Sequence, residues 1–438
     1  MLSGQNDLVA KIVSLCKRRG IVFQNSEIYG GIQGFYDYGP IGSLLKNNWK
    51  SLWLKNNVQE RSDVVLIDGA IITHPKVWEA SGHVKNFGDE LIECKSCHQR
   101  FRPDLIDNVT KCPECGGEFT NPKKFNILFK TEIGVIEGEK IPAYLRGEAC
   151  QNIYLDFKNI VDSSRVKIPF GIAQIGKAFR NEITPKNFLY RTREFEQWDI
   201  QFFCQEKDMN QYYEYWKETR MAWYQGLFNQ KESLRFRQHQ KNELAFYAQK
   251  AFDIEFEAPW GWTEMEGIHW RGDYDLTQHS KYSHQDLSYL DRTTGKKFIP
   301  HIVEASGGVD RSLFFLLLDA YQEQKLDNGE TRIFLKLNPK LSAYKMAIFP
   351  LAANKPELVS LAENLYTDLS KKYSLDFDDS SNIGKKYRRQ DEIGTPWCAV
   401  IDYQSLEDGT LSIRDRDTMS QIRIKIEEID SWLSYKLN

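Results

Sequence analysis

Two cysteine pairs, Cys94-x-x-Cys97 and Cys112-x-x-Cys115, are separated by residues 98–111, and the second runs into Gly116-Gly117. Glycines there permit the tight turn that sits beneath sulfur ligands, and four thiolates on two such turns make a closed tetrahedral metal site. The pattern predicts bound Zn2+ in a structural role, because four sulfurs leave no position open for a reacting water. Four unpaired structural cysteines are the alternative. Eight cysteines in 438 residues are too sparse for a disulfide scaffold and fit a reducing compartment.

A second group is FRNEITPKNFLYRTREFEQWDIQFF, Phe179 to Phe203, which reads as two strands joined by a loop containing Pro185. Side chains alternate across a strand, so Arg180 and Glu182 are expected to share a face of the first. On the second, Arg193, Phe195, Gln197, Asp199 and Gln201 share one face, and Trp198, Ile200 and Phe202 take the other. One side is then core and the other a charged floor with an aromatic ring. Such a floor suits a nucleotide: arginine for phosphate, a ring for the base, acids for a metal or an ammonium group. A solvated hairpin face would account for the pattern almost as well. The third group, FIPHIVEASGGVDRSLFFLLLDAY from Phe298 to Tyr321, is a strand that breaks at Gly307-Gly308 into an apolar helix. Glu304 and Ser306 share a strand face and Arg311 falls in the first helical turn, where charges commonly line a ligand cavity. A lone arginine there could equally be solvated.

The elements that must position these residues follow from periodicity. Leu8 to Arg19 reads as an amphipathic helix, followed by a Gly-rich stretch from Tyr29 to Gly42, a helix over Ser43 to Asn57, and a strand over Asp63 to Ile72 that Pro75 must stop. Cysteine, proline, glycine and charge mark an insertion at 90–122. The middle of the chain is rich in strand-like stretches, with a helix around Asp208 to Phe228. Gln322 to Lys340 is polar, ends in Asn338-Pro339 and reads as a linker. Beyond it, strands at Lys345–Pro350, Leu375–Asp379, Trp397–Tyr403 and Thr410–Arg416 alternate with helices, the last marked by Ile422, Ile426, Ile429 and Leu433. Two domains are expected, 1–338 (with the insertion) and 339–438, the second a compact α/β unit, in an α+β chain.

Composition bounds the class: 41% hydrophobic and 27% charged residues are globular, not disordered. The longest apolar run, Leu313 to Leu318, is far short of the roughly 20 residues that span a bilayer, and Asp7, Lys11 and Lys17 to Arg19 interrupt any secretory core. A cytoplasmic enzyme without membrane or DNA partners is expected. The net charge of −3 excludes a uniformly basic nucleic-acid binder but leaves RNA to local basic patches.

Together the three stretches resemble class II aminoacyl-tRNA synthetases, whose marks are a dimer-forming helix and strand ending at proline, an arginine-bearing hairpin, and a Gly-Arg helix start. More narrowly, GIQGFYDYGPIG (Gly31 to Gly42), VWEASGH (Val77 to His83), FRNE, REF and TEMEGIHWRGDYDL (Thr263 to Leu276) resemble the dimeric glycyl-tRNA synthetase family, and the cysteine pairs sit where its bacterial members carry an insertion. The resemblance covers nearly the whole chain. It implies an antiparallel β-sheet catalytic core with a zinc-ribbon insertion and a C-terminal α/β anticodon-binding domain. It further implies a homodimer, glycine, ATP and tRNA(Gly) as ligands, and catalytic Mg2+.

Carried over by position, the resemblance implies Arg180 on the ATP α-phosphate, adenine between Phe195 and Arg311, Glu182 on the adenine edge, and Glu264 on the magnesium side. Asn181, Tyr190, Arg191, Arg193, Glu194, Met265, Gly308 and Asp310 complete the implied ATP set. Glu148, Asp199 and Glu304 would surround the glycine ammonium group, with Phe195, Gln197 and Ser306 beside it, Arg271 on the carboxylate and Arg102, in FRPD, on the substrate side. The chain departs from the family pattern at RGEACQN (Arg146 to Asn152, against RPETAQG), at EAS (Glu304 to Ser306, against EPS), and at Asp199, where glutamate is expected. Two lost prolines would loosen both loops, and the shorter Asp199 would reach an ammonium group through water. In the C-terminal domain, Lys385, Lys386, Arg388 and Arg389, with Tyr387, Trp397 and Tyr403 nearby, suit splayed anticodon bases; a solvated helix face balanced by Asp376, Asp378 and Asp379 is the alternative. Two rivals remain: a synthetase of the same subclass for another amino acid, and a non-catalytic nucleic-acid-binding protein on the same scaffold. Against the first stand YGGIQGFYDYGP and VWEASGH; against the second, the retained Arg180, Glu182, Phe195 and Arg311.

Overall fold

The computed structural model describes residues 2–103, 106, 110–136, 138–380 and 382–437; Asp104 of FRPD lies outside them. Seven strands form the main sheet: β1 (Val64–Leu66), β2 (Phe170–Phe179), β3 (Glu194–Cys204), β4 (Leu234–Gln238), β5 (Lys250–Ala258), β6 (Gly261–Gly272) and β7 (His301–Gly308). Their order is β4-β5-β6-β7-β3-β2-β1, antiparallel except for β1, which runs parallel to β2.

Alternation along β3 divides the sheet's faces as the sequence predicts. Trp198, Ile200 and Phe202 are buried on the core side, where Phe202 meets Trp216 at 5.6 Å and Trp198 meets Trp53 at 5.2 Å. Trp53 lies on α2 (Pro40–Leu54) and Trp216 on α3 (Met209–Gln225), and α1 (Leu2–Arg18) and α5 (Val309–Ala320) add to the same core, α4 (Tyr274–Ser283) lying elsewhere. Helix α5 is apolar nearly all round and correspondingly buried nearly all round. Beneath the sheet Arg220 donates to Glu266 at 2.9 Å and to Asn57 at 2.6 Å, with both charged side chains fully buried. Register sets the opposite, polar face: Gln174, Asp199, Ser306 and Gly267 form one cross-strand row, and Gln201, Glu304 and His269 the next.

A second sheet follows, with β8 (Met346–Pro350), β9 (Leu375–Phe377), β10 (Trp397–Ile401), β11 (Thr410–Asp415) and β12 (Gln421–Lys425) in the order β9-β8-β10-β11-β12. Helices α6 (Pro356–Leu369), α7 (Ile383–Ile393) and α8 (Ile429–Leu437) accompany it, and its core is a separate cluster. The overall content is α+β.

Four expectations need correction. The strand predicted over Asp63–Ile72 is two: β1 ends at Leu66, and Ile72–Thr73 joins a different sheet with Ile141–Leu145. Between them the chain turns at Gly69, whose N–H donates to Gln174 and where a Cβ would stand 2.6 Å from Asn152. The helix predicted over Ser43–Asn57 begins at Pro40, whose ring suits a first helical position, and gives way after Leu54 to a wide turn. The polar linker, Gln322 to Lys340, contains a β-hairpin, Tyr321–Lys325 against Thr331–Leu335. Its polar residues are structural: buried Arg332 donates to Asp391 at 2.7 Å, and Arg414 donates to the same carboxylate at 3.0 Å, so the hairpin is bolted to the second sheet. Finally, Ile422 belongs to β12 rather than the last helix, because QIRIK alternates with period two.

Candidate active site

A cleft of about 460 Å³ opens on the polar face of the main sheet, a volume typical of small-molecule sites. Arginines and rings occupy one end. Arg180 lies just past β2, not on it as predicted: its backbone N–H donates to Arg193 O, and Glu182 N–H folds back onto Arg180 O at 2.7 Å. Its guanidinium sits 5.1 Å from the Phe87 ring and 5.3 Å from the Phe195 ring, held by one hydrogen bond from Nε to Gly147 O. Arg311, at the start of α5, lies 4.7 Å over Tyr190 and pairs with Glu264 at 3.1 Å. Glu182 and Arg191 also line this end, with Gly308 at the end of β7.

The other end is acidic. Glu148 Oε1 accepts from Cys150 Sγ at 2.9 Å and Gln151 Nε2 at 3.0 Å, and lies 3.1 Å from His83 Nε2. Burial opposes its ionisation, but the His83 contact and the Arg271 charge outweigh it and hold the carboxyl well below the usual range. Glu304 receives Arg271 NH1 at 2.7 Å, and His269 Nδ1 stands 3.3 Å away. Burial again raises and Arg271 lowers its pKa, which falls to about 2. Asp199 differs: burial, then the Glu304 charge, push it well above the usual carboxylate value. Despite the two missing prolines, Glu148 and Glu304 are therefore both pinned by hydrogen bonds.

Of the predicted residues, Arg180, Glu182, Tyr190, Arg191, Phe195, Glu264, Gly308, Asp310, Arg311, Glu148, Gln197, Glu304 and Ser306 all line this one cleft. Asp199 lies just behind the lining, fully buried beside Gln197 and Gln201. Asp310 and several implied residues outside the lining are committed to the protein itself. Asp310 is saturated by Lys46 Nζ at 2.7 Å, Tyr38 OH at 2.6 Å and the Glu196 N–H. Glu194 pairs with Lys177, Arg193 donates to Glu182 O and Gln33 O, and Met265 is core. Asn181 N–H donates to Ile127 O, and Arg102 follows Arg100–Phe101 in the cysteine insertion, away from the lining. Arg271 is 1% exposed, with Nε and NH2 on Asp275 at 2.8 and 2.9 Å and NH1 on Glu304. Each of its three nitrogens thus donates to a protein carboxylate.

Sequence reasoning missed His83, Phe87, His239, Tyr247, Asp253 and His269, which also line the cleft. His83 and His269 lie inside the motifs VWEASGH and TEMEGIHWRGDYDL, so a signal existed for those two; Tyr247 sits on an irregular segment that carries none. Asp253 is pushed up to about 6 by burial and by the Glu264 charge, a crowding of carboxylates that a cation between them would relieve.

The four predicted cysteines converge, with all sulfurs within 4.8 Å of one another. Cys94–Cys115 at 3.4 Å and Cys97–Cys112 at 3.7 Å are close to the edge of a tetrahedron with metal–sulfur bonds of about 2.3 Å. Gly116 adopts φ +73°, and a Cβ on Gly117 would stand 3.0 Å from Cys94 Sγ, so both glycines are required as read. In the C-terminal unit α7 forms after Asn382 as predicted, whose Oδ1 accepts from Lys385 N–H. Trp397, however, is buried against Trp432 at 5.2 Å, and Lys386 is 1% exposed with Nζ on Pro350 O, so neither is offered to RNA.

Residues 129–322 match the tRNA synthetase class II core domain (G, H, P, S and T), and residues 345–436 match an anticodon binding domain. A glycine–tRNA ligase of Borrelia garinii subsp. bavariensis is 49% identical over 431 residues, covering 97% of each chain. One from Treponema denticola is 49% identical over 430 residues, 96% of this chain and 95% of that one. One from Caldanaerobacter subterraneus subsp. tengcongensis is 46% identical over 455 residues, 98% of each.

Proposed function

The chain belongs to the glycine–tRNA ligase family of class II synthetases, and from that premise we propose that its cleft joins glycine to ATP and passes the glycyl group to tRNA(Gly). The observation that carries this reading is one cleft with stacked arginines at one end and pinned carboxylates at the other. That layout fits a polyphosphate joined to a small ammonium-bearing acid.

In the first step a glycine carboxylate oxygen attacks the α-phosphorus, forming an O–P bond as the bond to pyrophosphate breaks. Arg180 neutralises the charge that builds on the equatorial oxygens, and Phe195 and Arg311 hold adenine between them. Opening the Arg311–Glu264 pair would free both partners, the carboxylate turning with Asp253 toward the Mg2+ that neutralises the phosphates when bound. Glu148 and Glu304 receive the ammonium group. Asp199, behind the lining, reaches the ammonium group through water. Arg271 acts through Glu304, fixing its position and charge, instead of touching the substrate carboxylate. In the second step the terminal ribose hydroxyl of tRNA attacks the adenylate carbonyl and AMP leaves; orientation within about 3.5 Å is what the cleft supplies.

Around this centre, the cysteine site would hold structural Zn2+, and the chain would work as a cytoplasmic homodimer divided at 338/339. Helix α2 buries Trp49 and Trp53 inside its own subunit, and the half-exposed Leu66, Ile72 and Ile141 support an apolar contribution to the dimer contact from the strand region that follows it. No helix among the described residues is long and apolar enough to cross a membrane. Pyrophosphate exchange tested across the twenty amino acids checks the reading: exchange with glycine alone supports it, and exchange with another amino acid favours the sister-synthetase rival.

A further inference from the structure

Discrimination among amino acids at this site has an unusual requirement. Glycine is the smallest, so every competitor is larger and must be kept out by collision, which works only if the wall it meets cannot yield. The floor of the acidic end is sheet: Gln197 on β3, Glu304 and Ser306 on β7. The back is Glu148, on the loop after Ile141–Leu145. The remaining side is Tyr247, from residues 239–249, the segment that joins β4 to β5.

Several contacts hold that segment. Its ends are tied by His239 N–H to Ala251 O at 3.0 Å and by Gln249 N–H to Trp270 O at 2.7 Å, and Ala248 N–H closes a turn onto Ala245 O at 2.9 Å. Phe246 packs edge-on against His83 at 5.8 Å and Tyr274 at 5.9 Å. It sits so close to Gly82 that a Cβ there would lie 3.0 Å from its ring. Tyr247 follows directly, its ring 3.7 Å from the Arg271 guanidinium. Burial, and the Glu304, Glu148 and Cys150 groups around it, push its hydroxyl well above the ordinary phenol value despite Arg271, so the phenol stays neutral beside the acids. An ammonium group held by Glu148 and Glu304 places the α-carbon within one bond of that cluster, under the ring.

We infer that Tyr247 is a specificity-determining residue: its ring is the roof that meets the first side-chain carbon of any amino acid larger than glycine. This rests on the glycine-activation reading above. Arg271 is central to the roof as well as to the floor, because one guanidinium carries the ring on its face and Glu304 on its edge. The height between ring and carboxylate is thereby set by a single group.

The test compares Y247A and Y247F with the unaltered enzyme in pyrophosphate exchange with glycine and with alanine. The glycine-to-alanine ratio of kcat/KM should fall by about tenfold to two-hundredfold in Y247A, the span one methyl-sized group commands in a pocket, and should be kept in Y247F. If Y247A is inactive with both, the same ratio is read from calorimetric binding of the glycyl and alanyl sulfamoyl-adenosine analogues. An unchanged ratio in Y247A overturns the inference, as does an equal loss in Y247F, which would assign discrimination to the hydroxyl. Absence of glycine exchange in the unaltered enzyme would instead overturn the reading on which it rests.

Discussion

Asp275→Asn isolates the assignment of Arg271 to Glu304. Asp275 holds Arg271 by two bonds at 2.8 and 2.9 Å, and both side chains are fully buried. Asparagine keeps the shape and one acceptor but turns an N–H toward the guanidinium and removes the counter-charge. A hydrogen bond to a charged group contributes about 1.5–3 kcal/mol, and breaking a buried pair outright costs about 3–5 kcal/mol. A loss of about 3 kcal/mol in unfolding free energy is expected. The second effect is on binding: Glu304 becomes the sole anion for Arg271, so an incoming ammonium group must compete for it. With about 1.4 kcal/mol per factor of ten, the same range raises KM for glycine about 10- to 100-fold. KM for ATP should hold, since Asp275 does not line the cleft. Pyrophosphate exchange titrated in each substrate, on protein shown to be folded by calorimetry, gives both constants. A folded variant whose KM for glycine is unchanged refutes the coupling.

Glu304 is held at about 2 against an ordinary 4.5, so it takes up a proton only on unfolding in mild acid. Its contribution, about 3 kcal/mol, is fully present above pH 4.5 and disappears as pH falls toward 2; thermal unfolding against pH should show this, with Glu304→Gln losing less over that window. Freshly purified, reduced protein should contain one zinc per chain by metal analysis, and a strong chelator should make the Cys94–Cys115 insertion the first site of proteolysis; no zinc would count against the thiolate reading. In α7, Arg388 pairs with Glu330 and Arg389 with Asp378, whereas Lys385 is exposed and its amine has no acidic partner among the described residues. Lys385→Glu should raise KM for tRNA several-fold and flatten its salt dependence while leaving glycine-dependent exchange intact; unchanged tRNA kinetics would exclude this face.

What the sequence disclosed divides by the range of the interaction. The cysteine pairs were readable because ligand spacing and turn glycines are local, and the parity of β3 was readable because alternation is local too. Arg180 was misplaced by extending that parity past Phe179, where the chain already curls into a tight turn. The hairpin after α5 was hidden because its polar side chains are satisfied by Asp391 and the Arg416 carbonyl, which only the fold brings near. Arg271 was assigned to substrate because nothing in the chain's order reveals that Asp275 and Glu304 both accept from its guanidinium. Tyr247 was invisible for the same reason: its neighbours are distant in sequence and its segment has no period.

Arg180 lies between two rings with its two terminal nitrogens uncommitted among the described residues, where an ATP phosphate would meet them. Glycine-dependent pyrophosphate exchange in a folded Arg180→Ala variant should drop a few hundredfold, corresponding to about 3–4 kcal/mol of lost transition-state stabilisation. Exchange at the unaltered rate would contradict the assignment of this cleft to glycine activation.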